Sequence, residues 1–243
     1  MVCLVLLGFL IYHRDNRTIR RSAPLVTITL LIGATGLALA QLLTSFARTN
    51  AWCTINLYLF HLSMNLILMA LLVKNYRIYK IFTNNKATAI AITESRLMMY
   101  IGITTLFYVI LLTVIATALG YKAIVKQSKS NRFYQYVQCS VSNTTWNIIV
   151  QITLNVLLYI QIIASLILAF LTRNVKAEYR ESKRLASFAI IIFISMLIFI
   201  PLIFTLGDST DSQILRYVIG VEFITITVIS TVALLFVPIV LAV

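Results

Sequence analysis

Residues 52–82 read WCTINLYLFHLSMNLILMALLVKNYRIYKIF, and the fold turns on this stretch. From Trp52 to Val73 there is no Asp, Glu, Lys or Arg; Lys74, Arg77 and Lys80 then follow. A helix over the uncharged part reaches ~33 Å at about 1.5 Å per residue, enough to cross a hydrocarbon core of about 30 Å. Lys74 and Arg77 are three apart and share a helix face. An apolar run that ends in cations is the pattern of a membrane helix meeting cytoplasmic headgroups.

The rest of the chain agrees. Of 243 residues, 60% are hydrophobic and 11% charged, with a mean hydropathy of +0.96. An ordinary soluble domain is about 45–50% apolar and about 25% charged. This composition supplies no polar skin, which excludes a soluble enzyme and a free nucleic-acid-binding domain. It also excludes disorder, which needs low hydrophobicity. The net charge of +13 sits in loops, where it reports topology beside anionic lipid and not a nucleic-acid partner.

Uncharged runs also cover Ala23–Ala47, Leu97–Tyr121, Trp146–Thr172 and Leu185–Gly207, and Tyr217–Val243 is broken only by Glu222. They predict helices over about 23–46, 52–80, 97–121, 146–172, 185–206 and 215–243. Pro201 and Pro238 fall inside runs, as membrane helices tolerate. No run alternates with the period of two of a barrel strand. Met1–Tyr12 is apolar, but a helix there reaches only ~18 Å. It has neither the basic start nor the small-residue cleavage site of a signal peptide. It reads as the inner half of a first helix whose outer half is missing. The expectation is an all-α, polytopic seven-transmembrane bundle forming one domain over 1–243, with its first helix truncated.

Lys and Arg set the orientation. Fourteen lie in 13–21, 74–96 and 173–184, against six in the other loops (Arg48, Lys122, Lys126, Lys129, Arg132, Arg216). The first set is expected to be cytoplasmic, with the amino terminus outside and the carboxyl terminus inside. Cys53 and Cys139 then both lie on the oxidising side, as a disulfide or as two free thiols. Cys3 reads as a small packing residue. Asn143-Thr144-Thr145 is a glycosylation sequon in the same outer loop.

Little in the chain suggests catalysis. The two histidines, His13 and His61, are far apart, and there are no paired carboxylates or Gly-rich phosphate loop. No metal site or cofactor is expected. The last span has no lysine for a retinal Schiff base. A small transporter or channel remains an alternative, with Glu222 and His61 on an ion path. A truncated, non-signalling fragment is the other alternative. The main reading is a receptor-type bundle.

Three segments resemble the seven-helix domain of class C G-protein-coupled receptors, the metabotropic glutamate and GABA-B group. The end of the third span is similar to that family's Lys-x-x-Arg-Ile-x-x-Ile-Phe, here Lys74, Arg77, Ile78, Ile81 and Phe82. The third inner loop resembles its Thr-Arg-x-Val segment followed by Asn-Glu/Asp-x-Lys, here Thr172-Arg173-Asn174-Val175 and then Arg180-Glu181-Ser182-Lys183. Phe236-Val237-Pro238 resembles its Phe-x-Pro-Lys-x-Tyr, with Ile239 where lysine stands and Leu241 where tyrosine often does. The tyrosines around Arg77, and the stretch from Ser230-Thr231 to Pro238, look closer to the GABA-B branch and its fungal or amoebal relatives.

The resemblance implies a Cys53–Cys139 disulfide and an ionic lock between Lys74 and Glu181. It also implies coupling to a heterotrimeric G protein, for which Arg77, Lys80, Arg173, Lys183 and Arg184 are candidates. A plasma-membrane location and a receptor homo- or heterodimer go with it. So does a modulator or lipid pocket inside the bundle, with His61, Asn65, Asn155, Met196 and Glu222 as inward candidates. Met196 stands where glutamate receptors carry a tryptophan.

Overall fold

The computed structural model describes residues 5, 8, 12, 24–44, 49–83, 93–127, 135–141, 143–172, 180–205 and 210–240. Six long helices and one hairpin follow in order: α1 Pro24–Thr44, α2 Asn50–Thr83, α3 Glu94–Thr117, β1 Tyr121–Gln127, β2 Gln135–Val141, α4 Thr144–Leu171, α5 Arg180–Thr205 and α6 Thr210–Val240. Of the expected truncated first helix, Val5, Gly8 and Tyr12 are helical; the rest of 1–12 lies outside the described residues. Among the described residues, five helices are long and apolar enough to span a membrane, and Tyr217–Ala233 is a shorter apolar helix.

Helix starts follow from local chemistry. Pro24 opens α1, where its missing N–H costs nothing. The Leu25 N–H donates to Glu94 Oε1 at 2.7 Å, so the first turn of α3 caps α1 across the bundle. Asn143 caps α4 by accepting from the Thr145 N–H at 2.9 Å. Hydroxyls inside the helices bond back to their own carbonyls, as Thr113 does to Val109 O at 2.7 Å and Thr227 to Phe223 O at 2.9 Å. Polar residues are thereby tolerated in apolar spans.

α2 is the hub and touches α1, α3, α4, α5 and β1. Its tightest seam is with α1. A Cβ placed on Gly33 meets the backbone oxygen of Ser63 at 2.9 Å and Ile67 Cγ1 at 2.8 Å, and one on Gly36 meets Ser63 Oγ. The two glycines let the helix axes approach by removing side chains. By contrast, α3 buries only a narrow stripe, Leu97, Ile101, Tyr108, Leu112 and Ile115, and leaves the opposite face, with Ile103, Leu106, Phe107, Ile110 and Val114, exposed.

The largest difference from the expected spans follows α3. Tyr121 was expected to end the fourth helix, yet that helix stops at Thr117. Gly120 adopts φ +64°, which other residues rarely take, and Tyr121 then opens β1. The segment after α3 forms an antiparallel hairpin in which Ala123 pairs with Cys139. Cys139 is bonded to Cys53 near the start of α2, with Cα atoms 5.5 Å apart. The Ala123 N–H also donates to Asn50 Oδ1 at 3.0 Å. The hairpin is therefore fixed over one end of the bundle, and the all-helical reading holds for the spans alone.

Candidate functional site

A cavity of about 410 Å³ opens at the hairpin end. α2 contributes Leu57, Phe60, His61 and Met64, and α4 contributes Val150, Gln151, Leu154, Asn155 and Leu158. α5 supplies Met196, Phe199 and Ile200, and α6 supplies Tyr217, Gly220, Phe223 and Ile224. Gln41 of α1 and the hairpin's Tyr121 and Gln138 complete it. On each long helix the residues recur at three and four positions, so each helix turns one face inward. Among the described residues, no Asp, Glu, Lys or Arg lines the cavity. His61 Nδ1 and Gln138 Oε1 are buried without a hydrogen-bond partner among the described residues. The cavity thus has an aromatic wall with neutral polar atoms to satisfy. Phe60 packs edge-on to His61 at 5.1 Å and Phe199 to Phe223 at 6.1 Å.

Of the five inward candidates, His61, Asn155 and Met196 line this cavity. The Asn155 amide donates to Gln151 O at 2.8 Å. Asn65 is fully buried but belongs to a different cluster. It donates to Thr105 Oγ1 at 3.1 Å and accepts from Gln161 Nε2 at 2.8 Å, joining α2, α3 and α4. Glu222 is exposed on the outside of α6, so the expectation that it faces inward is corrected. Its helix buries Ile219, Phe223 and Thr227, and Glu222 falls off that face. The aromatic lining and Gln138 went unmarked in the sequence. Spacing alone marks Leu57, Phe60, His61 and Met64 as one face, but not as the one facing a void.

At the opposite end, Lys74 is only 6% exposed and engaged in an interaction. Its neighbour Asn75 is buried and donates to Ser165 Oγ at 2.8 Å, tying α2 to α4. Leu71 and Ile78 flank Lys74 on one face of α2 and share a core cluster with Leu185 and Phe188 of α5. Glu181 lies one turn before Leu185 on α5; its side chain, like those of Arg180 and Lys183, lies outside the described residues, as does Arg173. Arg77 and Arg184 are half-buried, and Lys80 is exposed, 5.8 Å from the Tyr76 ring. Asn143, the sequon asparagine, is exposed. Among the described residues, no three of His, Cys, Asp or Glu come together as a metal site would need.

An apolar helical bundle, with a disulfide-pinned hairpin over a cavity at one end and a buried lysine at the other, defines a polytopic membrane protein. The family described as "7 transmembrane sweet-taste receptor of 3 GCPR" matches residues 1–239. The chain belongs to this family, the seven-transmembrane domain of class C G-protein-coupled receptors, which is a receptor family and carries signals across membranes. It is similar to metabotropic glutamate receptor-like proteins of Dictyostelium discoideum. Protein J is 27% identical over 224 residues, covering 87% of this chain and 27% of the relative. Protein A is 28% identical over 239 residues, covering 95% and 29%, and protein M 25% over 231, covering 92% and 30%. The chain therefore spans less than a third of the length of these curated relatives.

Proposed function

We propose that this bundle couples an extracellular signal to a heterotrimeric G protein by opening a cleft between the Lys74 end of α2 and the Glu181 end of α5. The observation that supports this reading is the burial of Lys74 on the α2 face whose neighbours, Leu71 and Ile78, share a cluster with the first turns of α5. Glu181 stands at the start of α5, where a carboxylate suits the positive end of the helix dipole. Drawn together away from water, the pair restrains α5; removing one partner of such a pair costs about 3–5 kcal/mol, against under about 1 for an exposed pair. Arg77, Lys80, Arg173, Lys183 and Arg184 form the basic rim that meets the acidic partner surface and anionic lipid.

In this reading the hairpin faces outward at the plasma membrane, Asn143 carries a glycan, and the chain works as a homo- or heterodimer. The cavity takes a neutral modulator or lipid, a reading supported by its aromatic and amide lining, which has no charged side chain among the described residues.

The test is Gα nucleotide exchange driven by the chain in nanodiscs. Glu181→Ala is expected to raise basal exchange several-fold above the unaltered chain. If neither chain drives exchange with any Gα of a broad panel while circular dichroism shows an intact bundle, the reading fails.

A further inference from the structure

One row of α3 has the polarity profile of a lipid molecule. Arg96, Tyr100, Ile103 and Phe107 follow one another at steps of four, three and four residues, so they lie on one face of the helix. All four are exposed. The row runs from a cation, through an aromatic ring, to two apolar side chains. α2 sets a second cation beside the first. The contacts Tyr58–Thr113, Asn65–Thr105 and Tyr76–Tyr100 show that α2 and α3 run antiparallel. The Tyr76 ring meets the Tyr100 ring edge-on at 6.3 Å, and Tyr76 packs on the cluster that holds Leu97 and Ile101. Lys80 lies one turn past Tyr76, and Arg96 one turn from Tyr100 toward the same end of the bundle. Lys80 is exposed, with its ammonium 5.8 Å from the Tyr76 ring. Arg96 directly precedes the uncharged run that begins at Leu97, so this end of the row stands at headgroup depth. Within α2, α3 and the residues between them the only carboxylate is Glu94, one of whose oxygens accepts the Leu25 N–H. Residues 84–92, which join the two helices, add Lys86 and no acid. Tyr76 and Lys80 stand about 200° and 240° round α2 from Lys74, on the side away from the proposed cleft.

We propose that Tyr76, Lys80, Arg96 and Tyr100 form a binding site for the phosphate monoester headgroup of an anionic lipid, whose acyl chain lies along Ile103 and Phe107. The Arg96 guanidinium offers parallel N–H donors to two phosphate oxygens, and the Lys80 ammonium adds a compact second charge. Two cations match a monoester, whose charge approaches −2 at about pH 7, better than a diester with a single negative charge. A zwitterionic headgroup brings its own cation and gains little. The apolar part of the row serves a lipid and has no use for a free phosphate. Phosphatidic acid and a singly phosphorylated phosphoinositide both present such a group. The inference assigns one cation of the proposed basic rim to lipid; it rests on the membrane-bundle architecture and is independent of G-protein coupling.

Lipid titration of the full chain in a neutral detergent, with bound molecules counted by native mass spectrometry, tests it. At least one of two monoester lipids, phosphatidic acid and phosphatidylinositol 4-phosphate, is expected to bind on the order of tenfold more tightly than phosphatidylglycerol, a diester. The tighter of the two identifies the source. Lys80→Gln with Arg96→Gln is expected to bring the monoester down to the phosphatidylglycerol level while circular dichroism stays helical. Lys122→Gln, at an exposed cation on the hairpin, is expected to leave it unchanged. Inorganic phosphate at the same concentration is expected not to displace the lipid. Equal binding of monoesters and diester overturns the headgroup class. Undiminished binding by the double variant, or an equal loss in Lys122→Gln, overturns the site, and displacement by inorganic phosphate overturns the lipid.

Discussion

Gly33 and Gly36 face the same neighbour, Ser63, yet their substitutions part ways. Alanine raises helix propensity by up to about 1 kcal/mol over glycine, whereas overpacking costs about 1–3 kcal/mol. At Gly36 the added Cβ meets a hydroxyl that truncation removes. Gly36→Ala is therefore expected to lower the thermal midpoint, and Gly36→Ala with Ser63→Ala to restore it. At Gly33 the Cβ meets backbone, so Ser63→Ala is expected to give no rescue of Gly33→Ala. Thermal unfolding of the four variants in one detergent checks this. A second residue, Asn65, holds three helices through two hydrogen bonds. Asn65→Leu is expected to cost about 1–2 kcal/mol, in line with polar contacts between membrane helices. Denaturant unfolding reads it, and a loss of under a few tenths would show that the cluster contributes no net stability.

At the scale of elements, the sequence showed where helices run but not which way they face. Every span is apolar nearly all round, so its pattern has no strong phase, and the side that carries Glu222 became visible only once α6 was packed. Lys74 was the opposite case. Its place at the end of an uncharged run, followed by Arg77, picked it out, though not its burial. The hairpin was hidden because Tyr121 reads as the tail of an apolar run, although Gly120 offered the break. The start of α4 gives a separable prediction. Asn143 is both its cap and the sequon acceptor. Asn143→Gln is expected to remove a glycan and also cost about 1 kcal/mol of cap energy. Thr145→Ala is expected to remove the glycan alone, since the bond uses its backbone N–H. Gel mobility after glycosidase treatment, set beside thermal midpoints, separates the two effects.

For the whole molecule, topology is the quantity to measure. Val125 is exposed on the hairpin and Thr93 is exposed at the opposite end, just before α3. In intact cells, a membrane-impermeant maleimide is expected to label Val125→Cys and to spare Thr93→Cys until the membrane is opened. The reverse pattern would invert the proposed orientation and the coupling reading with it.

The α1–α2 seam carries one more implication. Ser63 sits like a key in the notch that Gly33 and Gly36 leave, and sliding either helix along the other drives it against a ridge. These two helices thus move as one piece. If the proposed cleft opens, these two helices are the expected fixed part, and α5, which carries Pro201 and accepts the Tyr159 hydroxyl of α4 on Met196 O, the expected moving one.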